Sequence, residues 1–305
     1  MAPSGAFSPD LTTESRARRR LPWLGWFAAT ALAAAIPAAV PAQFTSGVNV
    51  VEVYASVTDG KGMPVTGLRR EDFIVRENGA AQQISTFAEG QFPLSVAVAL
   101  DRSFSMAGAR LEAARAAARL FLGELRAEDE SMLIAVGSAT EVLAPLSRDR
   151  EGQFRALATL DAFGTTGLHD SIVTALEAIQ QARGRRALVL LSDGSDRYSR
   201  ATASDALARA RASDVLVYPV ALGRDRPALF AELASLTGGR SFHLPDGRRL
   251  QETLREIATE LRHQYLLGYS PGRPLEPGSN EWRSIKVTVD RPGVTVRARD
   301  GYVVK

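Results

Sequence analysis

The first part of the chain follows a period-two pattern. Residues 48–58 alternate between apolar and polar positions, as expected of a half-buried strand. Residues 73–77 and 83–87 continue this pattern around Asn78-Gly79, a dipeptide that favours tight hairpin turns. A small antiparallel β unit is therefore predicted here.

From residue 94 onwards, apolar runs alternate with amphipathic stretches. Residues 95–100 are continuously apolar apart from Ser95, which is typical of a parallel strand covered on both faces. Residues 107–126 place Leu111 and Phe121 on one apolar stripe, which predicts a helix. Further strands are predicted at residues 132–136, 187–191 and 215–221, and further helices at residues 168–182, 203–212, 228–236 and 248–262. The alternation predicts an α/β domain with a doubly wound, mostly parallel sheet.

The last part returns to the β pattern. Residues 284–289 alternate, and Arg291-Pro292-Gly293 then turns the chain into residues 294–298, which predicts a hairpin. Each β segment alone is too small to hold a core. We therefore expect one small β-sandwich made from both ends of the chain, with the α/β domain inserted between them. The predicted parts are residues 43–91, the α/β domain 92–263, and residues 264–305.

The beginning of the chain resembles an export signal. Four arginines between positions 16 and 20 precede an apolar run over residues 21–39, and Val40-Pro41-Ala42 offers small residues for cleavage after Ala42. Residues 1–42 are therefore predicted to be a signal peptide, and the mature protein to be periplasmic or secreted without a membrane span. The alternative is an uncleaved anchor, since residues 21–40 are just long enough to cross a bilayer.

Composition narrows the classes of function. The chain has 305 residues, 45% of them hydrophobic, and no cysteine, which excludes disulfides, thiolate metal sites and a lipoprotein attachment site. Residues 1–42 hold four basic and two acidic side chains, so their removal lowers the net charge from +3 to +1. This balance argues against a nucleic-acid partner.

Polar residues follow the apolar strands directly. Asp101, Ser103 and Ser105 come after the strand at 95–100, and side chains two apart in an extended loop point the same way. Asp193 follows the strand at 187–191 and should lie at the same edge of the sheet, where open α/β folds bind ligands.

The segment Gly164-Thr165-Thr166-Gly167 precedes a predicted helix and offers a further hydroxyl. Thr166 is the expected contributor, and Thr165 is the alternative. Each of these side chains alone is better explained as a cap or turn residue. Together they form an all-oxygen set, which favours Mg²⁺ or Mn²⁺ over zinc.

These motifs resemble the von Willebrand factor A domain family, whose metal-ion-dependent adhesion site reads Asp-x-Ser-x-Ser with a distant Thr and a distant Asp. The matching metal ligands are Asp101, Ser103, Ser105, Thr166 and Asp193. The middle motif departs slightly, because Gly164-Thr165-Thr166 stands where the family often has Gly-Gly-Thr. The resemblance implies a non-enzymatic, adhesion-type protein whose metal accepts an Asp or Glu carboxylate from a partner protein.

The flanking segments resemble secreted VWFA-related proteins first noted in acidobacteria. Their matching segments are residues 68–78, 264–271 and 294–302. This narrower kinship gives no information about the partner. The rim loops that would set specificity contain Arg102, Phe104, Phe163 and Tyr198 and carry no known motif.

Two other functions are considered. A Mg²⁺-dependent hydrolase of the same fold class would need a second acid where Ser103 stands, and the chain has no nucleophile or phosphate-loop motif. A structural envelope module without metal is the other alternative. Metal-dependent stabilisation and a phosphatase assay would separate these functions.

Several other polar or aromatic residues are interpreted as structural. The three histidines are too scattered for a metal cluster, and the arginines at the end of the helix 168–182 are expected to be solvated. The acids near the site are expected to be exposed loop residues, with binding of waters around the metal as the alternative. Trp282 is expected to pack. These residues are His169, His243, His263, Arg183, Arg185, Arg186, Asp170, Asp196 and Trp282.

Overall fold

The structure is a computed structural model that describes residues 50–90 and 92–304. The predicted signal peptide over residues 1–42 lies outside these residues. Among the helices of the described part, none is long and apolar enough to cross a membrane.

The described residues form fourteen strands and six α-helices. The strands, numbered in chain order, are β1 (Val51–Asp59), β2 (Phe73–Glu77), β3 (Ala80–Gln82), β4 (Ile84–Glu89), β5 (Leu94–Asp101), β6 (Glu130–Val136), β7 (Glu141–Ser147), β8 (Arg185–Ser192), β9 (Val215–Leu222), β10 (Phe242–Leu244), β11 (Tyr265–Tyr269), β12 (Trp282–Val289), β13 (Val294–Arg297) and β14 (Gly301–Val303). The helices are α1 (Ala109–Gly123), α2 (Arg150–Ala158), α3 (Leu168–Gln180), α4 (Ala203–Arg211), α5 (Ala228–Thr237) and α6 (Leu250–Arg262).

A six-stranded sheet forms the centre of the α/β domain, in the order β10-β9-β8-β5-β6-β7. All its pairs are parallel except β6 with β7, which is antiparallel. Every residue of β5 and β9 is buried, because helices cover both faces of the sheet. Helices α1, α2 and α6 pack on one face, and α3, α4 and α5 on the other. The predicted doubly wound, mostly parallel fold is confirmed.

Strand β7 and helix α2 follow no pattern that the sequence made clear. Strand β7 contains Pro145 and is exposed or half-buried except at Ala144, which suits an edge strand that needs few backbone donors. Helix α2 follows it, and Asp149 caps α2 by accepting a hydrogen bond from the Gly152 backbone N–H at 2.9 Å.

Two antiparallel four-stranded sheets combine strands from both ends of the described chain, in the orders β13-β1-β11-β4 and β14-β12-β2-β3. Their inner faces share one apolar cluster. Phe73 of β2 and Tyr265 of β11 illustrate the contact between the sheets, with ring centroids 4.9 Å apart. The sandwich of N- and C-terminal strands agrees with the predicted fold class.

The predicted Asn78-Gly79 turn is confirmed, because both residues have positive φ (46° and 83°) and join β2 to β3. The hairpin predicted over residues 284–298 is wrong. Strand β12 pairs with β2 on one side and β14 on the other, while β13 pairs with β1 in the other sheet. The alternating pattern identifies both strands but does not select their partners, and Gly293, at φ 77°, helps the chain cross between sheets.

The prediction that the arginines after α3 are solvated is wrong for Arg185. This residue begins β8 and is buried. Its guanidinium donates hydrogen bonds to the carbonyls of Phe92 and Leu261 and to Gln264 Oε1, which ties the sheet to the end of α6. Arg186 is partly buried and pairs with Asp214.

Candidate metal centre

The first loop of the candidate site begins where β5 ends. Asp101 is 0% exposed, and its Oδ1 accepts a hydrogen bond from the Ser103 backbone N–H at 2.9 Å. This bond curls the chain back on itself, so that Ser103 Oγ and Ser105 Oγ lie 3.1 Å apart. Three predicted ligand side chains are therefore brought together on loop 1, residues 101–105.

The second loop, residues 163–167, is held against loop 1 by two backbone hydrogen bonds. The Phe104 N–H donates to the Gly164 carbonyl at 3.0 Å, and the Phe163 N–H donates to the Arg102 carbonyl at 2.7 Å. Gly164 has φ 70°, a conformation that favours glycine. Thr166 is buried at 2% exposure, whereas Thr165 is exposed, which supports Thr166 as the inward-facing hydroxyl.

The third loop, residues 192–198, begins where β8 ends. Ser192 Oγ donates to Asp101 Oδ2 at 2.6 Å, which connects this loop to loop 1. The Arg197 and Tyr198 N–H groups donate to the Thr166 carbonyl at 2.9 and 3.1 Å, which connects it to loop 2. Loops 1 and 3, which follow strands, and loop 2, which precedes α3, thus all contact one another around the predicted ligands.

Asp193 projects from loop 3. Its Oδ1 accepts a hydrogen bond from the Ser195 N–H at 2.9 Å, which fixes the carboxylate. Gly194 follows with φ 82°, and a Cβ at this position would come within 2.0 Å of Pro227, so only glycine fits. The turn after Asp193 is consequently set by both conformation and space.

The electrostatics of the site centre on Asp101. Burial raises the pKa of its carboxyl group, the hydrogen bonds from Ser103 and Ser192 oppose this shift, and the charge of nearby Asp193 adds to it. Within the described residues, no arginine, lysine or histidine forms a salt bridge with Asp101 or Asp193. A cation between the two carboxylates would favour their charged forms.

The donor set fits a hard divalent cation. Thr166 Oγ1 and Asp193 Oδ2 have no hydrogen-bond partner within the part of the chain that the structure describes. Residues 50–90 and 92–304 contain no cluster of three or more histidine, cysteine or acidic side chains placed to bind a metal. The candidate centre is of another kind, because three of its five donors are hydroxyls, and oxygen donors of this sort suit Mg²⁺ or Mn²⁺.

Nearby acids and the neighbouring histidine organise loop 3. Asp196 Oδ1 accepts hydrogen bonds from the Leu168 N–H at 2.7 Å and from Ser199 Oγ at 2.6 Å, so it caps the start of α3. Asp170 accepts from the N–H groups of Arg200 and Ala201, which lowers the pKa of its carboxyl group. His169 Nδ1 lies 3.2 Å from the Ala201 carbonyl. Asp170 and Asp196 are thus bound by the loop rather than simply exposed.

Sequence reasoning missed Ser192. Its hydroxyl is buried, donates to Asp101 and accepts from the Gly194 N–H at 3.0 Å, so it fixes the orientation of a predicted ligand. The signal was available, because Ser192 stands directly before Asp193 at a strand end.

The α/β domain is similar to known proteins. Residues 96–195 match the sequence model of the von Willebrand factor type A domain. The α/β domain has the von Willebrand factor A fold. All five predicted ligands lie within the matched residues. No protein of curated function matches the chain.

Three solved structures illustrate the likeness. A von Willebrand factor type A protein from Catenulispora acidiphila is 15% identical, covers 83% of this chain and 72% of its own, and has a TM-score of 0.52. Proximal thread matrix protein 1 from the mussel byssus, with a zinc-occupied MIDAS motif, is 12% identical and has a TM-score of 0.52; the match covers 61% of this chain and 49% of the mussel protein. The protein BatB from Bacteroides thetaiotaomicron is 19% identical and has a TM-score of 0.46; the match covers 55% of this chain and 98% of BatB. At these identities the likeness concerns the fold. The narrower kinship with acidobacterial secreted proteins stays a prediction.

Proposed function

We propose that this chain is an exported, non-enzymatic protein-binding module that depends on a divalent cation. Asp101, Ser103, Ser105, Thr166 and Asp193 would hold Mg²⁺ or Mn²⁺ at the end of the central sheet. The partner would be a protein that supplies an Asp or Glu carboxylate. Export would follow from the predicted signal peptide, with cleavage after Ala42.

One observation carries the proposal. Loops 1, 2 and 3 are hydrogen-bonded to one another around a buried carboxylate, Asp101, that no basic side chain within the described residues neutralises. Buried charges in proteins are paired or coordinate metals. An external cation is therefore the partner that this carboxylate fits.

The ligand set also suggests how the site would bind. When bound, a cation held mainly by hydroxyls keeps much of its positive charge and attracts one further anionic oxygen. Asp101 and Asp193 would provide the negative charge of the site, and Ser103, Ser105 and Thr166 neutral oxygens. An acidic side chain of a partner would complete this set.

Hydrolysis has less support. Ser103 Oγ lies 3.1 Å from Ser105 Oγ, and within residues 50–90 and 92–304 no histidine or lysine hydrogen-bonds either hydroxyl. A nucleophilic serine needs such a base within hydrogen-bond reach. We therefore assign Ser103 and Ser105 to metal binding.

The first experiment measures metal binding by isothermal titration calorimetry of the full chain with Mg²⁺, Mn²⁺ and Zn²⁺. Zinc is included because the mussel protein carries it at its MIDAS motif. Asp193→Ala should abolish Mg²⁺ binding, and Asp225→Ala, which changes an exposed acid after β9, should leave it intact. Equal Mg²⁺ affinity in Asp193→Ala and the unaltered protein would overturn the proposal.

A matched pair of variants assigns the threonine. Thr166→Val keeps the shape of the side chain and removes the buried hydroxyl, while Thr165→Val does the same at the exposed neighbour. Changes outside the ligand shell already cost roughly 10–100-fold in metal affinity. Thr166→Val should therefore weaken Mg²⁺ binding at least about tenfold, and Thr165→Val should not. The reverse order would transfer the role to Thr165.

The second experiment tests partner binding. The immobilised full chain is exposed to the native envelope fraction with Mg²⁺ or with EDTA, beside Asp193→Ala. A partner that is retained with Mg²⁺, released by EDTA and not captured by the variant supports the proposal. Capture that EDTA and Asp193→Ala leave unchanged argues for a module that binds without metal.

A further inference from the structure

Exposed aromatic side chains are concentrated around the candidate metal centre. Phe104, Phe163 and Tyr198 are 66%, 62% and 65% exposed. Within the described residues, every other phenylalanine, tyrosine and tryptophan is buried or half-buried. We call these three side chains the aromatic collar. Each of the three loops around the site carries one of them.

The backbone hydrogen bonds that assemble the site also hold the collar in place. Phe104 stands between Ser103 and Ser105, and its N–H donates to Gly164 of loop 2. The Phe163 N–H donates to the Arg102 carbonyl, and the Tyr198 N–H donates to the Thr166 carbonyl. The collar residues are therefore fixed on the same frame as the predicted ligands.

Packing among residues 50–90 and 92–304 does not explain the collar, because its three side chains stay exposed there. Large exposed aromatic surface is unfavourable in water, and a contiguous exposed apolar patch commonly marks an interaction site. Among the described residues, the ring of Phe163 faces the Arg102 guanidinium, which lies 5.6 Å from the ring centroid. Arg102 also pairs with Glu141 at 3.5 Å, so the edge of the collar is bordered by an ion pair.

We infer that the aromatic collar selects protein segments in which the metal-binding Asp or Glu is flanked by apolar side chains. This inference rests on the proposed function, which supplies the attraction for the carboxylate. The collar adds apolar contacts on either side of it. Buried aromatic anchors contribute a large share of binding energy at protein interfaces, where charged residues lie at the rim.

Charge favours a protein over an anionic membrane. Membrane recognition of this kind uses clusters of about 4–8 Lys or Arg. Loop 3 instead carries Asp193 and Asp196 beside Arg197, and Arg200 follows it. On this surface of mixed charge, the proposed metal centre is the main attraction for an anionic group. Such a surface suits a partner with one carboxylate among apolar residues.

The test uses a display library of cyclic peptides with a fixed central Asp and randomised flanking positions. The library is selected on the immobilised full chain in Mg²⁺ and eluted with EDTA. Selected peptides should be enriched in aliphatic and aromatic flanks. The best peptide should bind the triple variant Phe104→Ser, Phe163→Ser, Tyr198→Ser at least about tenfold more weakly, as expected when anchors of this kind are removed.

The control changes exposed apolar residues elsewhere. Met63→Ser with Ile74→Ser removes apolar surface from the β-sandwich and should leave peptide affinity unchanged. Mg²⁺ titration of the triple variant should match that of the unaltered protein, which shows that the site is folded and separates the collar from the metal.

Three results would overturn the inference while Mg²⁺ binding persists. They are a selection without apolar enrichment or without EDTA-released peptides, equal peptide affinity of the triple variant, and Mg²⁺-dependent sedimentation with phosphatidylglycerol vesicles that the triple variant loses. Failure of the unaltered chain to bind Mg²⁺ would instead overturn the proposed function itself.

Discussion

Two buried carboxylates, Glu77 in the β-sandwich and Asp101 in the α/β domain, have different kinds of hydrogen-bond donors. In the β-sandwich, Glu77 Oε1 accepts a hydrogen bond from Arg283 Nη1 at 3.2 Å, and Oε2 accepts from the hydroxyls of Tyr269 and Tyr302, each at 2.8 Å. In the α/β domain, Asp101 accepts hydrogen bonds from Ser103 and from the Ser192 hydroxyl, both uncharged donors. Within residues 50–90 and 92–304, a basic side chain pairs with Glu77 and none pairs with Asp101.

This difference distinguishes Glu77, whose charge is paired within the β-sandwich, from Asp101, which we propose as a metal ligand. Arg283 is buried and also donates to the carbonyls of Arg273 and Pro274, so its ion pair with Glu77 is part of the sandwich core. Burial and the charge of Glu77 raise the pKa of Tyr302 to about 12, which keeps its hydroxyl a donor at neutral pH. Among the described residues Asp101 has only neutral hydrogen-bond donors, which is why we propose a cation from outside the chain as its partner.

The largest loss of stability is expected from removing Arg283, the cation that pairs with Glu77. Arg283→Met would leave Glu77 buried without its cation, which typically costs about 3–5 kcal/mol of stability. Urea unfolding followed by circular dichroism should show this loss in the free energy of unfolding. Lys286→Met changes an exposed position on the same strand, β12, and should have little effect. If both variants lost the same amount, the pair would not be a central element of the sandwich.

The second-largest effect is the stabilisation of the folded protein by Mg²⁺, which should require Asp101. Mg²⁺ at about a hundred times its Kd should stabilise the unaltered protein by about 2.7 kcal/mol, because only the folded state binds it. Asp101→Asn should gain nothing from Mg²⁺. In EDTA, it should lose far less stability than Arg283→Met, because no paired cation is left behind.

The measurement is urea unfolding in Mg²⁺ and in EDTA, beside Asp161→Asn, an exposed acid near loop 2. Asp161→Asn should keep the full stabilisation by Mg²⁺. Equal stabilisation of Asp101→Asn would remove the distinction between the two carboxylates.

Local sequence patterns predicted much of the fold and the candidate site. Asp101, Ser103 and Ser105 are close along the chain, and the buried run of β5 places them at a sheet edge. Loop 3 follows a second run of this kind, β8. The fold class followed from the alternation of strands and helices. Each type of element is recognised by the spacing of its apolar residues, because that spacing shows which side of the element is buried.

Long-range pairing could not be predicted in the same way. Glu77 and Arg283 are separated by 206 residues, so no local pattern connects them. The pairing of β13 with β1 rather than β12 has the same cause, since both arrangements bury the same alternating residues. Arg185 is a third case, because a buried arginine is recognised only when its carbonyl acceptors, here Phe92 and Leu261, are known.

The smallest effects are expected from removing one hydrogen-bond donor to Asp101 and, separately, one donor to Glu77. Ser192→Ala removes the donor to Asp101 Oδ2 and should weaken Mg²⁺ binding about tenfold, the low end for a residue that orients a metal ligand. Ser192→Thr should restore the affinity, and Ser195→Ala in the same loop should not change it. Tyr269→Phe removes the equivalent donor to Glu77 and should lower stability while Mg²⁺ affinity, measured by calorimetry, stays the same. An equal loss of Mg²⁺ affinity in Tyr269→Phe and in Ser192→Ala would contradict the comparison, because a hydrogen bond in the sandwich would then affect metal binding in the α/β domain.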